Sequence, residues 1–401
     1  MNKSLLSVAE PPIENQTQHL MPITQRPDVV FTKGKGHYLF DASGTAYLDM
    51  MQGWAVNTLG HSPNFLKHAL LNQAEQLINP GPAFYNKPMI ELSNTLCSAS
   101  VFDHVFFANS GAEANEGAIK LARKWGQLNK QGAFEIITFK NSFHGRTLAT
   151  MSATGKASFA PLFEPKISGF KKVPFNDPQA LINAISSNTT AIMLELVQGE
   201  AGVIPAEYDF VKKLETQCKQ HNLLLIVDEV QTGVGRTGKL FAYQHYGISP
   251  DILTLGKGLG GGVPISALLA KQAVSCFAPG DQGGTFNGNP LMCASALAVL
   301  EALEAENILS NVNKMSELLQ TEFFELSQKY GLGQIRGQGL LLAIDTGAYD
   351  AHQIAASAFR KQLLINAPRS NCIRLMPALN IGPEEIYKAM SVLEDCLSEL
   401  S

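Results

Sequence analysis

The chain has 401 residues, 45% of them hydrophobic and 16% charged, with a formal net charge of -4. That length predicts two or three lobes with ample burial, and the composition excludes a disordered chain. Acids and bases are interspersed without a long single-sign run, which excludes the electrostatic footprint of a nucleic-acid binder and leaves small molecules as the expected partners.

The start, MNKSLLSVAEPPIEN, is polar and lacks a signal-peptide apolar region, and no apolar run reaches the roughly 18 residues that span a bilayer. A cytoplasmic location without membrane contact is therefore expected. Residues 1 to about 35 are rich in Pro, Gln and Thr without periodicity, which predicts an extended arm. Residues 1–60 are read as an N-terminal segment that packs with the small domain. From about 60 short apolar runs alternate with helical stretches: HVFFAN (104–109), EIITF (135–139), AIMLELV (191–197), LLLIVDE (223–229), DILTLG (251–256) and ISALLA (265–270). Continuously apolar strands suit a mostly parallel sheet covered by helices on both faces, an α/β core. In 112–126, Ala118, Leu121, Ala122 and Trp125 recur at helical spacing behind Ser110 as the cap. A long helix starts near Pro290, and LLLAID (340–345) and CIRLMP (372–377) belong to a smaller α+β lobe. The expected domains are thus 61–305, large, and 306–401, small.

The six cysteines, Cys97, Cys218, Cys276, Cys293, Cys372 and Cys396, are far apart and have no clustered histidines, so reduced thiols and no metal site are expected. LLLIVDE ends in Asp228 and Glu229, and ligands of open α/β sheets sit at the carboxyl ends of strands. A carboxylate there either ends a solvated strand or serves as an anionic partner under a cofactor. Lys257 follows the next strand among glycines. It is either a surface lysine or an amine suited to a Schiff base, where desolvation favours the neutral nucleophile. Gly256, Gly258 and Gly261 match G-x-G-x-x-G, but the run neither begins the α/β pattern nor opens a convincing helix, which argues against a dinucleotide and an oxidoreductase. Two segments could hold a phosphate: the turn Asn109-Ser110-Gly111-Ala112 at a helix start, with its N–H groups and the Ser110 hydroxyl, and Gly283-Gly284-Thr285. Either could be an ordinary turn. Phe143 could cover a flat cofactor, and Arg146 and Arg374 could bind carboxylates or simply lie at the surface.

Taken in order, NSGAEANE, FHGRT, QGEAG, VDEVQTGVGRTG, LGKGLGGG and GGTFNGNP resemble the class III aminotransferases of pyridoxal-phosphate (PLP) fold type I, from about residue 28 to 395. Within that family the chain is most similar to the branch whose donor is N2-acetylornithine, with the ornithine branch next to it. The resemblance implies PLP as cofactor and transfer of the donor's terminal amine to 2-oxoglutarate, a step of arginine biosynthesis. It implies that Lys257 carries the cofactor and moves the proton. Asp228 would pair with the pyridine nitrogen, Gln231 would lie by the phenolic oxygen, and Phe143 would stack on the ring. Gly111 and Ala112 would offer N–H groups to the phosphate, and Thr285 would reach the phosphate of the neighbouring subunit in a homodimer. Arg146 would bind a substrate carboxylate, while Glu200 would be a gate that pairs with Arg374 for the amine donor and releases it for glutamate or 2-oxoglutarate.

Two departures from the family leave the chemistry untouched: Ala112 replaces a common threonine and Leu196 a common proline. Trp54 stands where the ornithine enzymes carry a tyrosine and argues against free ornithine, or it simply packs under the arm. Succinylornithine, succinyldiaminopimelate, ornithine and 4-aminobutyrate are the alternative donors, and a PLP-binding regulator without catalysis is the alternative class.

Overall fold

Every apolar run singled out between 104 and 270 contributes to one seven-stranded sheet in a computed structural model that describes residues 17–401. In chain order its strands are His104–Ala108 (β1), Glu135–Phe139 (β2), Phe170–Val173 (β3), Thr189–Leu194 (β4), Leu224–Asp228 (β5), Ile252–Leu255 (β6) and Ser266–Ala270 (β7). Across the sheet they lie in the order β1-β7-β6-β5-β4-β2-β3. Strand β7 is antiparallel to both neighbours and every other pairing is parallel, so the expected mostly parallel α/β sheet is present.

Burial on both faces explains the continuous apolar strands. In β5, Leu224 and Ile226 pack with Ala118, Leu121, Ala122 and Trp125 of the helix Gly111–Asn129. Leu225 and Val227 belong to the larger cluster on the opposite face, with Phe210 and Leu214 of the helix Tyr208–His221. The same two-residue period carries Asp228 to the face of the helix Gly111–Asn129. Strand β3 was not expected, because Phe170-Lys171-Lys172-Val173 is short and charged, as suits a strand at the sheet edge.

The helix Gly111–Asn129 is capped as expected: Ser110 Oγ accepts from the Glu113 N–H (3.3 Å), and the Glu113 carboxylate accepts from the Ser110 N–H (2.8 Å). The helix Pro290–Ala305 starts with proline in its first turn behind the cap Asn289. Beyond it come the helix Ile308–Tyr330 and an antiparallel four-stranded sheet that includes Leu341–Asp345 and Cys372–Leu375.

Part of the expected N-terminal arm falls on residues 1–16, outside the described residues. From Phe31 the chain forms an antiparallel meander, Phe31–Lys35, Tyr38–Asp41 and Ala46–Asp49, for which the sequence shows no clear alternation. Leu363–Leu364 extends it by pairing in parallel with Ala46–Asp49. Among the described residues no helix is long and apolar enough to cross a membrane.

Candidate active site

The end of β5 separates two acids that strand position alone leaves equal and of which the family resemblance singled out Asp228. Glu229 is fully buried and its carboxylate accepts from the N–H groups of Ala242 (2.6 Å) and Tyr243 (2.8 Å), so it fixes the following loop. Burial pushes its carboxyl up to about 8. Asp228, also buried, lines a cavity of ≈ 260 Å³. Its Oδ2 accepts from Asn115 Nδ2 and from His144 Nδ1, each at 2.8 Å, and its Oδ1 accepts from the Val230 N–H at 3.1 Å. Asn115 is itself held, since its Nδ2 also donates to the His144 carbonyl (2.8 Å) and its Oδ1 accepts from Thr254 Oγ1 on β6 (2.7 Å). Burial lowers the His144 pKa, but the hydrogen bond and charge of Asp228, with the charge of Glu195, outweigh it and the net shift is upward.

Lys257 stands just past β6, in a single 3-10 turn, Lys257–Gly260, rather than a helix. That geometry gives the glycine run no helix N-terminus at which a dinucleotide could sit. The residue has φ of +39°, and the next carbonyl, of Gly258, accepts from Thr58 Oγ1 at 2.6 Å. Its side chain faces the same cavity as Asp228. Burial and then Arg374 hold its ammonium below the usual lysine range, against the opposite pull of Glu200, Asp228 and Glu195. The amine is thus partly primed as a nucleophile.

Gly111 and Ala112 complete one end of the cavity. They occupy the first turn of their helix, where N–H groups have no intrahelical acceptor and favour an anion. A Cβ at Gly111 would lie 2.5 Å from Val230 Cγ1, so only glycine lets the turn approach the strand end. Phe143 forms a wall, and its N–H donates to Glu195 Oε1 at 2.8 Å. Burial pushes the Glu195 carboxyl up to about 7. Gln231, Arg146 and Glu200 close the rest. Gly199 is needed here too, because a Cβ would sit 1.8 Å from Gln231 Oε1.

Arg374 lies behind Glu200 and is fully buried on the strand Cys372–Leu375. Its Nη2 donates to Glu200 Oε1 (2.9 Å) and its Nε to Asn366 Oδ1 (2.9 Å), while Nη1 has no hydrogen-bond partner among the described residues. Burial raises the Glu200 pKa, but Arg374, Lys156 and Lys257 overcome it and hold the carboxylate ionised.

Eight of the twelve residues singled out in the sequence line this one cavity: Gly111, Ala112, Phe143, Arg146, Glu200, Asp228, Gln231 and Lys257. Arg374 joins through Glu200. Ser110 does not line it; both its N–H and its hydroxyl are engaged by the Glu113 carboxylate. Thr285 is exposed on a loop tied down by Asn109 Nδ2 to Asn287 Oδ1 (3.0 Å) and Asn86 Nδ2 to the Gly288 carbonyl (2.9 Å). Trp54 is half exposed on a separate apolar cavity with Phe31 and Phe359, turned there by positive φ from Gln52 to Ala55. Sequence reasoning missed Asn115 and Glu195 and gave His144 no role. Asn115 and His144 sit inside the quoted runs NSGAEANE and FHGRT, but their function depends on Asp228, which is distant in sequence.

The family model for class-III aminotransferases matches residues 21–397, and the chain belongs to that family. It is 54% identical over 387 residues to the acetylornithine aminotransferase of Ralstonia nicotianae, covering 95% of this chain and 97% of that protein. The acetylornithine aminotransferase of Caldanaerobacter subterraneus is 45% identical, with 97% and 99% covered. Among solved structures, an ornithine aminotransferase from Toxoplasma gondii superimposes with a TM-score of 0.92 at 32% identity over 97% of this chain and 94% of that one. The N-acetylornithine aminotransferase of Stenotrophomonas maltophilia gives 0.83 at 35% identity, with 96% and 99% covered. Family membership implies PLP, and the cavity suits it: a buried carboxylate with two oriented donors, a lysine of lowered pKa, an aromatic wall and an anion-binding helix start converge there.

Proposed function

We propose that the protein transfers the terminal amino group of N2-acetylornithine to 2-oxoglutarate, giving N-acetylglutamate 5-semialdehyde and glutamate, as a step of arginine biosynthesis in the cytoplasm. The observation that carries this reading is the buried Arg374 paired with Glu200 at the rim of the Lys257 cavity. An amine donor without a carboxylate beside its reacting carbon needs that pair closed, whereas 2-oxoglutarate brings a carboxylate and needs Arg374 free. Arg374 Nη1, buried and unpaired among the described residues, is a donor ready for it.

When bound, PLP supplies an electron sink for the carbon that loses its proton. Asp228, aimed by His144 and Asn115, would keep the pyridine nitrogen protonated. Phe143 and Gln231 would fix the ring, and the N–H groups of Gly111 and Ala112 would hold the phosphate. Lys257 Nζ would hold the cofactor and would be the group that carries the proton. Arg146, exposed at the cavity and 5.2 Å from the Phe159 ring, takes a substrate carboxylate. The active form is a homodimer in which Thr285 serves the neighbouring phosphate. Thr285 lies outside its own cavity, and Phe84, Tyr85 and Phe286 are more than half exposed, as an uncovered subunit contact requires.

The deciding experiment compares kcat/KM for acetylornithine, succinylornithine, ornithine and 4-aminobutyrate with 2-oxoglutarate as acceptor. Acetylornithine is expected to rank first; another donor in first place replaces the substrate and leaves the reaction class intact. Glu200→Ala is expected to lower kcat/KM about tenfold with acetylornithine, because Arg374 then faces an aliphatic chain unpaired, and far less with glutamate in the reverse direction. Equal losses in both directions would remove Glu200 from the gate.

A further inference from the structure

Glu200 has two cations, one on each oxygen. Arg374 Nη2 lies 2.9 Å from Oε1 and Lys156 Nζ lies 3.5 Å from Oε2. The two differ in setting. Arg374 is fully buried, while Lys156 and Glu200 are about a third and a quarter exposed, on the outer side of the gate. Lys156 Nζ sits 5.7 Å from the centre of the Phe159 ring, whose other cation is Arg146 at 5.2 Å, and Phe159 packs edge-on against Phe143 of the cavity wall. Arg336 steadies the loop from the far side through its Nε to the Gly202 carbonyl at 2.6 Å. The loop is thus tied at Gly202, two residues from the gate, and the movement the gate requires is one of the Glu200 side chain.

We infer that Lys156 is the second anchor of this gate, holding the Glu200 carboxylate when a dicarboxylate substrate takes Arg374, and thereby setting the enzyme's preference for the dicarboxylate partner. The inference rests on the preceding reading of Glu200 and Arg374. With the gate closed, Arg374 supplies the shorter contact and Lys156 is an auxiliary. Once a substrate carboxylate occupies Arg374, Glu200 must leave a buried cation, and a carboxylate without a partner in a partly buried site is costly. Lys156 removes that cost by lying already within reach on the solvent side. Loss of Lys156 thus penalises the open state more than the closed one. As Lys156 acts through Glu200, it is a positioning residue.

The test uses the holoenzyme and glutarate, a dicarboxylate that cannot react, with binding followed by calorimetry beside steady-state kinetics. Lys156→Met is expected to weaken glutarate about fivefold and to raise the KM for 2-oxoglutarate similarly, while the KM for the amine donor moves less than twofold. Lys156→Arg should restore glutarate binding. In a Glu200→Gln background, where glutarate itself should bind more tightly because Arg374 is free, Lys156→Met should change binding less than twofold. Unchanged glutarate binding in the single Lys156→Met variant overturns the inference, and so does an equal fivefold loss in the Glu200→Gln background, which would mean that Lys156 touches the ligand directly. If Glu200→Gln fails to tighten glutarate, the gate itself is wrong and the role of Lys156 falls with it.

Discussion

Lys257→Ala is expected to lower kcat by at least about 10³-fold, some 4 kcal/mol of transition-state stabilisation, while PLP still binds without a covalent bond. The retained binding follows from the number of groups independent of Lys257: the N–H groups of the capped helix, the Phe143 wall and the Asp228 carboxylate all come from other elements. Equilibrium dialysis of PLP against the variant, beside its turnover number, checks both halves of the statement. Near-normal turnover would exclude Lys257 as the proton carrier, and complete loss of PLP binding would mean that the covalent bond supplies the cofactor affinity.

The geometry around Lys257 explains why a smaller change should not suffice. The residue adopts φ of +39°, a conformation costing a non-glycine residue about 1–3 kcal/mol, and neighbouring structure enforces it through Thr58 on the Gly258 carbonyl. Burial and Arg374 keep the ammonium pKa below the ordinary lysine value, so the neutral amine is more abundant at neutral pH than on a free lysine. An arginine in this place would bring a permanent charge and no nucleophile.

How much of this was legible in the sequence depended on whether the signal was local. The continuously apolar runs announced a two-faced sheet, because each strand buries both faces without outside help. ISALLA gave no sign that its strand is antiparallel, since an interior strand reads alike in either direction. The meander at Phe31–Asp49 was missed because its strands are four or five residues long and their burial does not alternate, which leaves no run for periodicity to act on. In the site, Lys257 and Asp228 stood out as charges at the ends of apolar strands. The resemblance chose Asp228 over Glu229, and the structure supplies the physical reason: the strand period sends Asp228 toward Asn115, while Glu229 is occupied by the N–H groups of Ala242 and Tyr243. Glu195 could not be recognised from LELV alone, because its contacts with the Phe143 N–H and the charge of His144 join segments about fifty residues apart.

Asp228→Asn is expected to lower kcat/KM about 10²- to 10³-fold, ~3–4 kcal/mol, by removing the charge proposed to keep the cofactor nitrogen protonated. The loss should be the same for acetylornithine and for glutamate if Asp228 serves the cofactor as proposed; this would separate it from Glu200, whose proposed gate role makes its loss depend on the substrate. The same variant carries a pH signature in the cofactor-free protein. His144 has its folded pKa raised above the unfolded 6.5 by the Asp228 hydrogen bond and charge, which outweigh burial. A raised histidine contributes stability that is fully present below about pH 6.5 and is lost as pH rises through the folded value. Asp228→Asn removes the cause of that rise, leaving a buried imidazole that resists protonation. The melting temperature of the variant should therefore fall further below that of the native protein at about pH 6 than at about pH 9. A deficit independent of pH would mean that His144 is not charged beside Asp228, and activity within tenfold of native would remove Asp228 from its place under the ring.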